Sequence, residues 1–403
     1  MRLGYVFSRY PVWSQTFCDR EMLELERRDH ELVLASFHPP ESALRHAYLG
    51  QLRAQPHYAP DSRALDALAR KAKKRGRWPE QLIARHEKKY GVAYKPALRA
   101  RNAVFLADLF AAQGVRHCHV HFANRAAHTA LFLKEITGIT FSVTAHGQDF
   151  MSDLGNAELL QEIFDGAEFI AAETDFSAAL LRPLQPGAPA KIVRVYNGID
   201  LSRFPAAETR ATSADTIRIL SVGRLVPIKG FEILIDACAR LRDGALHFQC
   251  DIIGDGAMRG ELAARVSRRD LAICVRFLGE RSSEEVIAAL GATDIFVLAS
   301  IVDDQGASDV FPTVIAEAMA CACPVVASAI AGIPELVDNN RTGLLIPPHD
   351  ARMLADAIMR LARDPPLRAG LGKGGRQRIA QAFQIQSTIE PLLARLHAAT
   401  RCG

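Results

Sequence analysis

The chain has 403 residues, 49% hydrophobic and 23% charged, a globular composition with length for two ordinary domains. A net charge of +4 is mild at this length and makes no general case for nucleic acid as a partner. The charge is uneven, however: residues 63–101 hold 13 Lys/Arg against three acids, so the remainder is net acidic. Eight cysteines follow no regular framework, and Cys321 and Cys323 lie inside an apolar stretch. Buried thiols in a reducing compartment are the expectation. The chain runs from Met1-Arg2 directly into an apolar segment without a signal-peptide pattern, so a cytoplasmic location is expected.

In chain order, Arg2 to Ser8 reads as a first strand and Tyr10 to Phe17 as a polar-aromatic loop. A helix over Cys18 to Arg28 and a strand over Leu32 to Phe37 complete a βαβ opening. Residues 40–96 differ: they are polar, basic and interleaved with Trp78, Tyr90 and Tyr94, and read as a helical insertion. Its cations suit either a solvated face or an anionic membrane surface, and nothing else in the chain supports nucleic acid. Alternation then resumes with a helix over 99–113, strands over 118–122, 140–144, 169–172 and 192–196, and helices between them. A linker rich in Ala, Thr and Ser spans Pro205 to Asp215. After it come strands over 217–222, 248–253, 275–278 and 295–298, again alternating with helices. The expected class is α/β: two Rossmann-like, doubly wound domains facing each other across a cleft. The first covers 1–200 plus a returning helix over about 385–403, and the second covers 215–384.

Ser308 to Leu336 is the most informative stretch. Glu317 is the only charge from Val310 to Pro334. A membrane span and a plain core helix are the bland readings, and Pro324 with the Gly332-Ile333-Pro334 turn opposes the first. The alternative is a loop that turns at Pro312, in the first helical turn, into a buried helix. Its free N–H groups attract phosphate, and Glu317 meets a polar ligand. At the start of the second domain, strand IRILSVG ends in Gly223, and Arg224 and Lys229 then place two cations beside a helix N-terminus, a place for a diphosphate. Gly254 closes a further strand before Asp255-Gly256. A dinucleotide fingerprint would need its third Gly at Arg259, which argues against a dehydrogenase. His117, His119 and His121 alternate on one strand face, where metal and core readings compete. His146 follows a buried strand directly and is expected at a cleft edge, hydrogen-bonding a ligand hydroxyl.

With GRLVPIKG, IIGDG, FLG, DVFPTVIAEAMACACPVV, AGIPELV, TGLLIPP, YNGID and TAHGQD in view, the sequence resembles the family 4 retaining GT-B glycosyltransferases. RLGYVFSRYPVWSQTF and HVHFAN are similar to its exopolysaccharide and colanic-acid branch. The resemblance implies transfer of a hexose from a nucleotide-diphosphate donor, a UDP- or GDP-sugar, to a glycan, lipid-linked or small-molecule acceptor with retention. It implies no cofactor and no metal. The basic charge of residues 63–101 adds the expectation that this cytoplasmic protein is peripheral at the inner membrane face. It assigns Arg224 and Lys229 to the diphosphate, Glu317 to ribose, and Asp309 and His146 to the donor sugar. Gly223, Gly254, Arg281 and the loop Val310, Phe311, Pro312, Thr313 join the donor site; Ser14, Gln15, Thr16, His121 and Asn124 join the acceptor side. Asp309 stands where the family usually has Glu, and Ala322 and Ala331 where it often has Gly. A sugar-nucleotide epimerase on the same scaffold, or a non-catalytic nucleotide-sugar-binding homologue, are the alternatives.

Overall fold

Strands apolar at every position are buried on both faces, the mark of parallel sheets, and both sheets of this chain are parallel throughout. The computed structural model describes residues 1–41, 46–147, 149–205, 216–304 and 306–401. The chain divides into a first unit, Met1–Tyr196 with Ile389–Gly403, and a second, Asn197–Thr388. Residues 206–215, most of the expected linker, lie outside the described residues.

The first unit runs β1 (Arg2–Arg9), α1 (Thr16–Arg27), β2 (Glu31–His38), β3 (Pro56–Tyr58), α2 (Ser62–Lys74), α3 (Glu80–Tyr90), α4 (Pro96–Gln113), β4 (His117–His121), α5 (Arg125–Thr137), β5 (Thr140–Ala145), α6 (Ala157–Gly166), β6 (Ile170–Ala172), α7 (Asp175–Leu181) and β7 (Ile192–Arg194). Its sheet order is β3-β2-β1-β4-β5-β6-β7. The order reverses between β1 and β4, so ligands are expected outside the carboxyl ends of those two strands. The loops that leave them carry Ser14 to Thr16 and Asn124. The expected helical insertion also supplies an edge strand, β3, which pairs with β2. Three residues, one of them proline, give no alternation to read. Along α2, Leu65, Ala69 and Ala72 are buried, while Arg63, Arg70, Lys71, Lys73 and Lys74 are exposed.

The second unit runs β8 (Ile217–Val222), α8 (Phe231–Asp243), β9 (Phe248–Ile253), α9 (Arg259–Arg268), β10 (Val275–Gly279), α10 (Ser283–Gly291), β11 (Ile295–Leu298), α11 (Thr313–Ala320), β12 (Val325–Ser328), α12 (Ile333–Leu336), β13 (Leu344–Ile346), α13 (Ala351–Arg363), α14 (Pro365–Ala382) and α15 (Ile385–Thr388). Its order, β10-β9-β8-β11-β12-β13, reverses between β8 and β11. The last helix, α16 (Glu390–Arg401), belongs to the first unit. There it buries Leu392, Leu393 and Leu396 and ties Glu390 to Arg28 at 2.6 Å. Among the described residues no helix is long and apolar enough to cross a membrane. The apolar stretch after Val310 is a loop, α11 and β12 instead. Of the cysteines, six described ones are buried thiols and Cys274 is half-buried.

Ala322, after α11, and Ala331, after β12, both sit in the left-handed region, at φ 53° and 47°. An L side chain there crowds its own carbonyl, a cost of about 1 kcal/mol that glycine avoids. Ala322→Gly and Ala331→Gly are each expected to stabilise the second unit by up to about 1 kcal/mol. Urea midpoints that fall in both variants would contradict this.

Candidate active site

Three loops of the second unit meet at the switch point between β8 and β11. Gly223 N–H donates to Ile253 O at 3.0 Å, Leu225 N–H to Asp255 O at 2.9 Å, and Ile301 N–H to Ile228 O at 2.9 Å. The loop after β8 is thereby clamped between those after β9 and β11. Gly230, at φ +63°, is required there, because a Cβ would stand 1.8 Å from Ala299 O.

Lys229 Nζ lies 2.7 Å from Asp309 Oδ1, and Ser300 Oγ donates to Asp309 Oδ2 at 2.7 Å. The Lys229 and Asp309 side chains are only 13% and 12% exposed. Asp309 therefore already has both oxygens engaged, one by the residue that the resemblance assigns to the diphosphate. Arg224 is exposed on the same loop. Arg281 is also exposed; it donates to Glu280 O at 3.0 Å and faces Glu285 at 3.8 Å.

Val310, Phe311 and Pro312 are buried, and Phe311 packs on Phe383 at 5.9 Å. Pro312 precedes the helix rather than sitting in its first turn: α11 starts at Thr313, with Pro312 extended at φ −69°, ψ 100°. The apolar run also misled on Glu317. The helix is not buried all round: Thr313, Val314 and Glu317 form a half-buried side, with Thr313 and Glu317 one turn apart.

In the first unit, the alternation of β4 aims His117 and His119 at three hydroxyls on β5 and leaves His121 to other partners. His117 bonds Thr140 Oγ1 at 2.7 Å and Ser142 Oγ at 2.9 Å; His119 bonds Ser142 Oγ and Thr144 Oγ1, each at 2.8 Å. His121 Nε2 meets Glu21 Oε1 at 3.1 Å and His121 Nδ1 meets His146 Nε2 at 3.1 Å. His146 Nδ1 meets Glu173 Oε1 at 2.9 Å. His146 is 6% exposed, and its two nitrogens meet His121 and Glu173. Asn124 caps α5, its Oδ1 accepting from Ala126 N–H at 3.3 Å. Ser14 is exposed, and Thr16 is half-buried with its hydroxyl held by Arg20 at 2.5 Å. The buried Oε1 of Gln15 has no partner among the described residues.

Sequence reasoning missed Glu21, Glu173 and Ser300. The available signal for the first was a charge on an otherwise buried helix face, since α1 carries Asp19, Glu21, Glu24 and Glu26 among its buried residues. Glu21, His119 and His121 each bring a ligand atom within 4.8 Å of the others, the one such group among the described residues. Both His119 nitrogens are filled by hydroxyls, and Glu21 and His121 are bonded to each other, so the group is a satisfied polar core.

Burial disfavours imidazolium in this core: it holds His117 down to about 4 and His119 to about 3. It also holds His128 to about 3, with His86 adding to the effect. Unfolded histidine protonates near 6.5. Between pH 6.5 and about 4 the unfolded chain therefore binds more protons than the folded one, and stability falls as pH falls. The slope is about 1.4 kcal/mol per pH unit for each histidine. By calorimetry the first unit is expected to lose about 5–10 °C of Tm per pH unit from 6.5 to 4.5. A pH-independent transition over that window would contradict it.

Two doubly wound parallel units, the second with a glycine-clamped cationic loop at its switch point, define a GT-B type of architecture. Residues 207–378 match the family model described as glycosyl transferases group 1. The amylovoran biosynthesis glycosyltransferase AmsK of Erwinia amylovora is 29% identical over 90% of this chain and 91% of its own length. The putative colanic acid biosynthesis glycosyltransferase WcaL of Escherichia coli K12 is 27% identical over 99% of this chain and 100% of its own. The crystal structure of Anabaena Alr3699/HepE in complex with UDP and glucose shares the fold, with a TM-score of 0.75 at 18% identity, covering 99% of this chain and 100% of that one. The segment that matches the glycosyl transferases group 1 model lies wholly within the second unit.

Proposed function

We propose that this glycosyltransferase moves a hexose from a nucleotide-diphosphate sugar to a glycan or lipid-linked acceptor in polysaccharide assembly, with retention and without a metal. The observation that carries the reading is Lys229, fixed by Asp309 at the β8–β11 switch point, four residues ahead of the first turn of α11. Arg224 and Lys229 with the α11 N–H groups offset the charge of the departing diphosphate, so that bond cleavage needs no strong acid at the donor side. Thr313 and Glu317, on the half-buried side of α11, hold the donor's hydroxyls. Ser14, Gln15, Thr16 and the loop at Asn124 serve the acceptor. The relatives AmsK and WcaL, named for exopolysaccharide synthesis, and the HepE complex with UDP and glucose support the donor and product classes. AmsK and WcaL are both named as glycosyltransferases, which leaves the epimerase and the non-catalytic homologue unsupported.

A thermal-shift panel of UDP-, GDP-, ADP- and TDP-sugars tests the reading. At a hundredfold excess over Kd, one nucleotide is expected to add about 2.7 kcal/mol, roughly 5–10 °C in the second unit's Tm. No shift with any of the four would overturn it. The exposed cations of α2 suit an anionic lipid surface near a lipid-linked acceptor. Sedimentation with phosphatidylglycerol vesicles is expected to retain the protein at low salt and release it at high salt. Absence of binding at low salt would remove the membrane from the proposal.

A further inference from the structure

The first unit contains a buried polar chain that the proposed chemistry does not use: Glu21, His121, His146 and Glu173, linked at 3.1, 3.1 and 2.9 Å. We propose that this chain holds one proton more than two neutral imidazoles carry, and that Glu21 and His121 are positioning residues that fix His146 through it. The count follows from the links. Each needs one hydrogen, and two neutral rings bring two. Tyr5 OH donates to Glu21 Oε1 at 2.7 Å, so that oxygen is an acceptor and His121 Nε2 is the donor. Despite a burial cost that raises it, the Glu21 carboxyl is held at about 2 by the charge and hydrogen bond of His121, which keeps it ionised. With His146 Nδ1–H donating to Glu173, two lone pairs would face each other between the rings. A third proton resolves the clash by making one ring of the pair imidazolium, so that the four groups together carry a charge of −1.

Other titratable groups around the chain are Tyr5 on β1, Cys18 and Asp19 on α1, and His119 on β4, 5.3 Å from His121. Past β5, Asp149 accepts from Ala123 N–H. Tyr5 is already committed to Glu21, and the His119 nitrogens bond Ser142 and Thr144, so neither of these two supplies the missing hydrogen.

The ring so fixed lies between Phe17, at 4.7 Å, and Phe122, at 4.4 Å. Phe122 takes φ +75°, a strained conformation for an aromatic residue, of the kind that collects at functional sites. An imidazolium with both nitrogens filled has no lone pair to offer. It presents polarised C–H edges, which suit an oxygen of a sugar or phosphate rather than a hydroxyl proton. That role rests on the proposed transfer function; the proton count does not.

The test uses the full chain labelled with [15N]histidine and long-range 1H–15N correlation of the rings at pH 7.5. One ring of the His121–His146 pair is expected to show both nitrogens protonated, and Glu21→Gln is expected to return both rings to neutral tautomers. Tyr5→Phe, which leaves the carboxylate in place, is expected to keep the doubly protonated ring. Two neutral rings in the unmodified protein, or a signature unchanged in Glu21→Gln, would overturn the proposal. In kinetics Glu21→Gln is expected to lower kcat about tenfold at unchanged donor KM, as loss of an outer-shell partner does. An unchanged kcat would overturn the positioning role. Full activity in His146→Ala would instead count against the part His146 plays in transfer, with the proton count still decided by the spectrum.

Discussion

Lys229→Ala is expected to lower transfer by about 10²–10³-fold or more, the usual cost of removing one fixed donor from a developing charge. The substitution has a second effect that must be separated from the first. Lys229 and Asp309 form a largely buried pair, and removing one partner leaves the other charge with only the Ser300 hydroxyl. That imbalance costs several kcal/mol in a dry core and less here, where both side chains keep some exposure, about 1–3 kcal/mol. Lys229→Ala/Asp309→Asn restores the balance. The double variant is expected to recover most of the lost stability in urea titration and none of the lost rate, a coupling that only a double-mutant cycle isolates. Recovery of both would mean that Lys229 serves Asp309 alone. Asp309→Asn by itself keeps the Ser300 contact and releases Lys229, so it separates the sugar-facing role of the carboxylate from its part in the ion pair.

That pair also marks the boundary of what the amino-acid sequence discloses. Runs such as Ile295 to Leu298 and Val325 to Ala327, apolar throughout and alternating with helical spacing, are enough to expect two parallel sheets, because only burial on both faces explains them. The reversal of strand order then follows from topology, and with it the loops that carry ligand contacts. Lys229 and Asp309, by contrast, lie 80 positions apart, and no local pattern announces a contact of that reach. The buried histidines fall between these cases. Alternation on β4 places His117, His119 and His121 on one face, and Thr140, Ser142 and Thr144 alternate on β5 in the same phase. The parallel register that sets His119 opposite Ser142 turns two ambiguous patterns into one hydroxyl–imidazole ladder. Neither segment alone distinguishes that ladder from a metal site. Pro312 and Glu317 misled for a related reason: an apolar run predicts a buried helix, but half-burial on one side is decided by what packs against it.

Gly254→Ala is expected to destabilise the second unit by about 3–5 kcal/mol, among the largest costs of a single methyl group. Two causes add. Gly254 has φ +131°, which L residues rarely adopt, and a Cβ there would stand 2.0 Å from Gly223 O. The neighbour is backbone and has no rotamer in which to retreat. It is also held from behind, because Gly223 N–H donates to Ile253 O at 3.0 Å and Gly254 N–H to Gly279 O at 2.8 Å. Moving Gly223 displaces the loop that carries Arg224 and Lys229, so nucleotide affinity is expected to fall along with stability. Gly260, in the first turn of α9, makes the control: a Cβ there meets nothing within 4 Å, and Gly260→Ala is expected to stabilise by up to about 1 kcal/mol. In calorimetry Gly254→Ala should lower the second unit's Tm by roughly 10 °C and weaken the nucleotide-induced shift, while Gly260→Ala raises Tm and leaves that shift intact. If Gly254→Ala melts with the unmodified protein, the close approach of the β8 and β9 strand ends is not what builds the diphosphate loop.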